Sequence, residues 1–183
     1  SASSDAPAEG NFGAGTGASV GKLQGMKRAM KAGIGTTSVN ISGIIIGALV
    51  AVNAFGDVVE PKSGKVIAGI RSGPTLQKMK RFRRMPRAAF KSNTVIGVIA
   101  TNARLNKAQA TKVAQMAQDG LARAIQPAHT MFDGDTIFAL ATGEKKADVS
   151  IVGAFAAEVM AQAIVRAVRM AAPAAGLPGL YRK

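Results

Sequence analysis

Hydrophobic and polar positions change their period several times along this chain, and each change marks an element. From Gly33 the pattern becomes that of strands. Ser38-Val39-Asn40-Ile41-Ser42 alternates polar and apolar residues, and Ile44-Ile45-Ile46-Gly47-Ala48-Leu49-Val50-Ala51-Val52 is apolar throughout. Alternation places one side of a strand on a core. An unbroken apolar run predicts a central strand buried on both faces. The run stops at Asn53, and Ala54-Phe55-Gly56-Asp57 reads as a turn. Residues 58–59 and 66–70 read as short edge strands around Pro61-Lys62-Ser63-Gly64, and 94–100 as a second buried strand. The period then becomes helical. Leu105-Asn106-Lys107 opens a helix with Asn106 as N-cap and Gln109 three positions on, close to a capping box. Ala110, Val113, Ala114, Ala117 and Leu121 share one face of it, and Ile125-Gln126-Pro127 ends it.

A loop over 129–135, a strand over 136–141 and a long helix over 149–172 complete the pattern. Glu158, Gln162, Arg166 and Arg169 draw a polar stripe down that last helix, so it is expected to pack on a core rather than face lipid. The apolar run 41–52 is about a dozen residues, short of the roughly 20 needed to span a bilayer. No segment has the pattern of a signal peptide, so a cytoplasmic protein without a membrane partner is expected. Buried strands followed by covering helices predict a layered α+β sandwich.

Composition narrows the chemistry. At 183 residues the chain suits one domain with a sizeable core. With 48% hydrophobic residues, 21 Gly, one Tyr and no Trp, that core is built of small, closely packed residues. The absence of cysteine excludes disulfides and thiolate metal sites and leaves the redox compartment open. His129 is the single histidine, which excludes a multi-histidine metal centre and argues against a histidine triad; it reads as a hydrogen-bonded structural residue. The net charge of +14 points to an acidic partner, an acidic substrate or an acidic part lying elsewhere in the same assembly. Much of it sits in 71–91, where Arg71, Lys78, Lys80, Arg81, Arg83, Arg84, Arg87 and Lys91 meet no acid. That segment reads as a solvated linker. A polyanion-binding module is the rival reading, but Phe82 and Phe90 are the only aromatics within the basic run, which argues against a nucleic-acid partner.

The chain opens on Ser1 rather than Met and soon enters a glycine track, as an excised or processed piece would. Residues 1–10 are expected to be loose. The track Gly10-Asn11-Phe12-Gly13-Ala14-Gly15-Thr16-Gly17 ends in Gly21-Lys22. It fails as a phosphate-binding loop because Thr16 stands where the first glycine belongs and Leu23 where a hydroxyl residue belongs. It fits backbone packed closely against a neighbour, with one lysine delivered into a site.

The candidate chemistry centres on Thr94, which opens an apolar strand straight after the basic segment. On pattern alone it is a β-favouring residue. If the Asn93–Thr94 bond breaks, however, its hydroxyl becomes a nucleophile and its freed α-amine, titrating near pH 8, becomes the base. Asn53 is either a turn former or an amide donor to a developing oxyanion. Lys22 is either a surface lysine or a charge that depresses the pKa of a nearby amine. Asp133 and Asp135 are either a loop turn, a thin site for Mg²⁺ or Ca²⁺, or acceptors that orient the amine and hydroxyl of Thr94.

Taken together, Gly13-Ala14-Gly15-Thr16-Gly17 with Lys22, Val52-Asn53, the run from Asn93 to Asn102, and His129-Thr130-Met131-Phe132-Asp133-Gly134-Asp135-Thr136 stand in order and spacing. They resemble the DmpA-type aminopeptidases, a family of self-cleaving N-terminal-nucleophile hydrolases, and within it the threonine-type members exemplified by nylon-oligomer hydrolase. The resemblance covers residues 10 to about 170. It implies an αββα four-layer sandwich and autocleavage between Asn93 and Thr94. Residues 1–93, ending in the basic linker 71–93, and residues 94–183 would stay together as one domain. It implies Thr94 as nucleophile, Lys22 and Asn53 as its polar partners with Asn53 in the oxyanion role, and Asp133 and Asp135 as the orienting pair. It implies a peptide or oligoamide substrate, no metal or organic cofactor, and self-association. Family members are roughly twice this long, so a separate segment or chain is expected to supply the other half. Without it, apolar surface should be exposed, and an inert subunit is the alternative to an active hydrolase.

Overall fold

Two residues that permit a left-handed turn start the main sheet. Ser42 and Gly43, at φ 49° and 86°, connect the strands Ile34–Ile41 and Ile44–Asn53 so that Ile41 pairs with Ile44, the geometry that matches the twist of a two-residue hairpin. The computed structural model describes residues 5–70 and 93–182. The strands are β1 (Ser19–Val20), β2 (Met30–Lys31), β3 (Ile34–Ile41), β4 (Ile44–Asn53), β5 (Asp57–Val59), β6 (Val66–Ala68), β7 (Thr94–Ala103), β8 (Ile125–Gln126) and β9 (Thr136–Lys145). Among the described residues the α-helices are α1 (Lys107–Ala124) and α2 (Val149–Arg169).

The main sheet has four strands in the order β3-β4-β7-β9. β4 runs antiparallel to both neighbours. β7 and β9 are parallel, and α1 makes the long crossover that a parallel pair requires. α2 lies across β3 and β4 and packs against α1, which also meets β9. Ile46, Val50, Val52, Val95 and Ile99 of the sheet face Leu121, Met160 and Ile164 of the helices, all less than 2% exposed. The expected capping box is present: Asn106 Oδ1 accepts from Gln109 N, and Gln109 Oε1 accepts from Asn106 N, each at 2.9 Å. Asp148 caps α2 in the same sense, accepting from Ile151 N at 3.0 Å. By length and composition α2 could cross a bilayer, yet 67% of its apolar stretch is buried within the protein, and its polar stripe is used. Gln162 donates to Glu158 at 2.8 Å, Arg166 pairs with Glu9, and Arg169 lies 3.5 Å from Glu60.

Several expectations change. The apolar run of β4 does form a central strand, but only one of its faces is buried by the described residues. Ile45 is 47% exposed and Leu49 39%, and the alternate residues of the neighbouring strands continue the patch: Ile96 at 51%, Phe138 at 58% and Leu140 at 51%. The helices lie on one side of the sheet, and no described element lies on the other. β5 is not an edge strand either. It sits between β6 and β8 in a separate three-stranded sheet, because Ile125–Gln126 passes from the end of α1 into pairing with it. β7 and β9 run longer than expected, and α2 ends at Arg169 rather than 172. Residues 71–92 of the basic segment, with Phe82 and Phe90, lie outside the described residues.

The described part is thus α+β, a helix layer on a sheet layer with a smaller sheet beside them. The second pair of layers implied by an αββα sandwich is not among these residues.

Candidate active site

Polar side chains gather where β4 ends and β7 begins. Asn53, the last residue of β4, is the registered partner of Thr94, the first residue of β7. The glycine track brings Lys22 to this point. Gly21 has φ 72°, and a Cβ there would fall 2.4 Å from the backbone of Gly69, so only glycine lets the chain pass. Gly21 N–H and Lys22 N–H then donate to the carbonyls of Gly56 and Phe55 at 2.8 and 3.0 Å, which fixes the turn. The Lys22 residue is 8% exposed, and its Nζ donates to Asn53 Oδ1 at 2.5 Å. Ser19 N–H reaches the same oxygen at 3.3 Å. Both contacts hold the amide of Asn53 by its acceptor end.

The loop 129–135 closes on β7 from the opposite flank. Thr130 N and Oγ1 donate to Asp133 Oδ2 at 3.0 and 2.6 Å, and Asp133 N returns a bond to the Thr130 carbonyl at 3.0 Å. Asn93 and Asp133 form a parallel bridge, and Gly134 N–H donates to the Asn93 carbonyl at 2.9 Å. Val95 N–H donates to Asp135 Oδ1 at 2.9 Å, so a carboxylate stands in for a backbone carbonyl just before the β7–β9 ladder begins at Ile96 and Thr136. His129, at φ 55°, puts Nδ1 3.5 Å from Asp135 Oδ2.

At the centre, Thr94 Oγ1 donates to the Asn93 carbonyl oxygen at 2.6 Å. Asn93 is 3% exposed. Its Nδ2 donates to the Phe132 carbonyl at 3.3 Å, and its Oδ1 is buried without a hydrogen-bond partner among the described residues. The site carries unusual electrostatics. Burial pulls the Lys22 amine down to about 8, against the charge of Asp133, which pulls it up. Burial raises the Asp135 carboxyl above its ordinary range, opposed by the Val95 N–H.

The five candidate residues therefore meet at one place, though not by every contact expected. The carboxylates of Asp133 and Asp135 are engaged by Thr130 and Val95, and the Thr94 hydroxyl is turned toward the carbonyl of the residue before it. In the continuous chain the Thr94 nitrogen belongs to a peptide bond. Sequence reasoning passed over Ser19, Thr130 and Gly134. Thr130 did leave a signal, since a hydroxyl three residues before an acid is a recurrent self-bonding spacing. Ser19 and the N–H of Gly134 act through the backbone and left none. No group of three or more His, Asp or Glu side chains able to hold a metal ion occurs among the described residues.

The sequence pattern of Peptidase family S58 matches residues 1–181. The chain is 40% identical to an uncharacterized aminopeptidase of Mycobacterium leprae, a match covering 93% of this chain and 51% of that protein. It is 30% identical to a 6-aminohexanoate-oligomer endohydrolase of Paenarthrobacter ureafaciens, over 87% of this chain and 50% of the other. Among solved structures it superposes on the L-aminopeptidase D-Ala-esterase/amidase of Ochrobactrum anthropi, described as a variant of the Ntn hydrolase fold. That match has a TM-score of 0.63 at 22% identity and covers 92% of this chain and 47% of that one. The chain thus spans about half the length of the curated relatives it matches. The expected resemblance is borne out, and the fold is that of the Ntn hydrolase aminopeptidases.

Proposed function

The chain belongs to peptidase family S58, and from that membership and the geometry around Thr94 we propose a self-processing amide hydrolase. Thr94 is its nucleophile, released by cleavage at Asn93–Thr94. One observation carries the reading. The Thr94 hydroxyl lies 2.6 Å from the carbonyl oxygen of the bond to be broken, in a half-buried position flanked by Asn53 with Lys22 on one side and the Asp133–Asp135 loop on the other.

The roles follow from chemistry. Thr94 Oγ attacks the Asn93 carbonyl carbon, the C–N bond breaks as the nitrogen takes the proton, and water hydrolyses the resulting ester. The new α-amine then accepts the Thr94 hydroxyl proton in each turnover, as in other N-terminal threonine enzymes. With its Oδ1 held by Lys22 and Ser19, Asn53 has its amide oriented to donate through Nδ2 to the oxyanion of the substrate carbonyl. The positive charge of Lys22 keeps the nearby α-amine a free base. Asp133 and Asp135 hold the loop and, once the amine exists, accept from it. The leaving amine takes the proton, and water clears the acyl-enzyme.

Substrates are amides, either peptides or oligoamides, as the aminopeptidase and oligomer-hydrolase relatives suggest. The exposed sheet face, which carries Thr94 and Asn53 at its border, is the seat for a second sheet from a further segment or chain, or for self-association. Cytoplasmic residence belongs to the same reading. Intact mass and N-terminal sequencing test it: one fragment should begin Thr94-Val95-Ile96, and Thr94→Ala should remain a single, inactive chain. Cleavage of Thr94→Ala at the native rate would remove Thr94 from the mechanism. An uncut native chain that becomes cleaved when a further half is supplied would favour a subunit that is inert alone.

A further inference from the structure

Resting on the self-cleavage reading, we infer that the backbone N–H of Gly134 is the oxyanion donor for that step, separate from Asn53, which serves substrate turnover. β7 lies between β4 and β9 in the sheet, so the two donors reach the Thr94 end of β7 from opposite flanks. Asn53 comes from the β4 side, opposite Thr94 itself. Gly134 comes from the β9 side, and its N–H is already 2.9 Å from the Asn93 carbonyl oxygen, within the range of a good hydrogen bond.

A ladder bond alone would not need glycine at 134. A Cβ there would stand 3.0 Å from Thr94 Oγ1 and 3.9 Å from the Asn93 oxygen. The missing side chain leaves the hydroxyl room beside the carbonyl it attacks, while the N–H points at the oxygen that takes the charge. The donor is also held still. Asp133, one residue before, is tied to Thr130 by three hydrogen bonds, and Asp135, one residue after, accepts from Val95 N–H. A preorganised donor of this kind needs no rearrangement as charge develops, which is why oxyanion donors are worth so much.

The step balances as follows. A bond forms from Thr94 Oγ to the Asn93 carbonyl carbon, and the carbonyl π electrons move to oxygen, where Gly134 N–H stabilises them. As the carbonyl re-forms, the C–N bond breaks and the Thr94 nitrogen receives the proton the hydroxyl gave up. Water then adds to the ester, releasing the Asn93 carboxyl group and regenerating the Thr94 hydroxyl.

The test exchanges the amide at Gly134 for an ester by incorporating glycolic acid, which replaces the N–H with an oxygen that cannot donate. Formation of the fragment beginning at Thr94 is followed by intact mass. The glycolate chain should cleave about 10²–10³-fold more slowly than the native chain. The same exchange at Phe132, whose N–H donates within the loop to Thr130 Oγ1 at 3.2 Å, should slow cleavage by less than about 10-fold. Equal rates for native and glycolate chains would overturn the role of Gly134 and leave self-cleavage standing. So would equal slowing by the two exchanges, which would mean that loop packing alone matters. A native chain that never cleaves would overturn both readings. Hydrogen exchange in uncut Thr94→Ala gives a measurement independent of how the glycolate chain folds. The Gly134 amide should be protected on the order of 10²-fold or more, and exchange as fast as an open loop would overturn the assignment.

Discussion

The two faces of the four-stranded sheet are made by alternate residues of the same strands, and they meet opposite fates. Toward the helices, Ile46, Val50, Val52, Val95 and Ile99 are all but fully buried. One residue along each strand, Ile45, Leu49, Ile96, Phe138 and Leu140 are 39–58% exposed. The candidate site lies at the border of the open face: Thr94 shares the alternation of Ile96, and Asn53 pairs with it. The covered face makes the domain stable, and under the proposed function the open face is where the candidate site would meet a completing segment or a second copy. Contiguous apolar patches on a protein surface mark interaction sites far more often than accidents.

Three substitutions probe that division, beginning with the largest expected effect. Asn53→Ala, at the open border, should lower turnover of an amide substrate about 10²–10³-fold. Because Asn53 Oδ1 also accepts from Lys22 and Ser19, stability should fall as well, by about 1–3 kcal/mol. Kinetics beside a urea titration separate the two losses, and unaltered turnover would remove Asn53 from the oxyanion role. Next, Ile99→Ala on the covered face should cost about 2–5 kcal/mol through the cavity it leaves. Its neighbour Ile96→Ala on the open face should stay within about 0.5 kcal/mol. Equal losses, read from urea midpoints, would mean that the open face is covered in solution, and a dependence on protein concentration would identify self-association as the cover.

The last effect concerns Lys22. Its amine titrates at about 8 in the folded protein against an ordinary 10.5. The unfolded chain therefore binds more protons between those values, and native stability should rise as pH increases from about 8 to 10.5. Lys22→Met should lose that rise relative to the native chain. Parallel pH profiles for the two proteins would show that the lysine is not buried as described.

Much of the architecture was written in the sequence. The strands after Gly33, the capping box at Asn106 and Gln109, and the polar stripe of α2 rest on rules that act within a few residues, where side chain and backbone decide locally. The family resemblance supplied the residues of the candidate site, and Lys22, Asn53, Asn93, Thr94, Asp133 and Asp135 do meet in space. What periodicity missed was the exposure of alternate residues in β4. An all-apolar run looks the same whether its second face is covered by this chain or by something else. The placing of β5 was also missed, since its partner β8 comes from residues about 70 positions downstream.

By itself the sequence determined the long strands, the two helices and the cap at Asn106, because periodicity, propensity and hydrogen-bonding side chains are local properties. Only the tertiary structure decided which sheet face is covered and which groups surround Thr94. It also decided that a backbone N–H with no side chain of its own, that of Gly134, points at the Asn93 carbonyl. Those outcomes depend on the register between strands far apart in the chain, which long-range packing sets and no short stretch of sequence encodes.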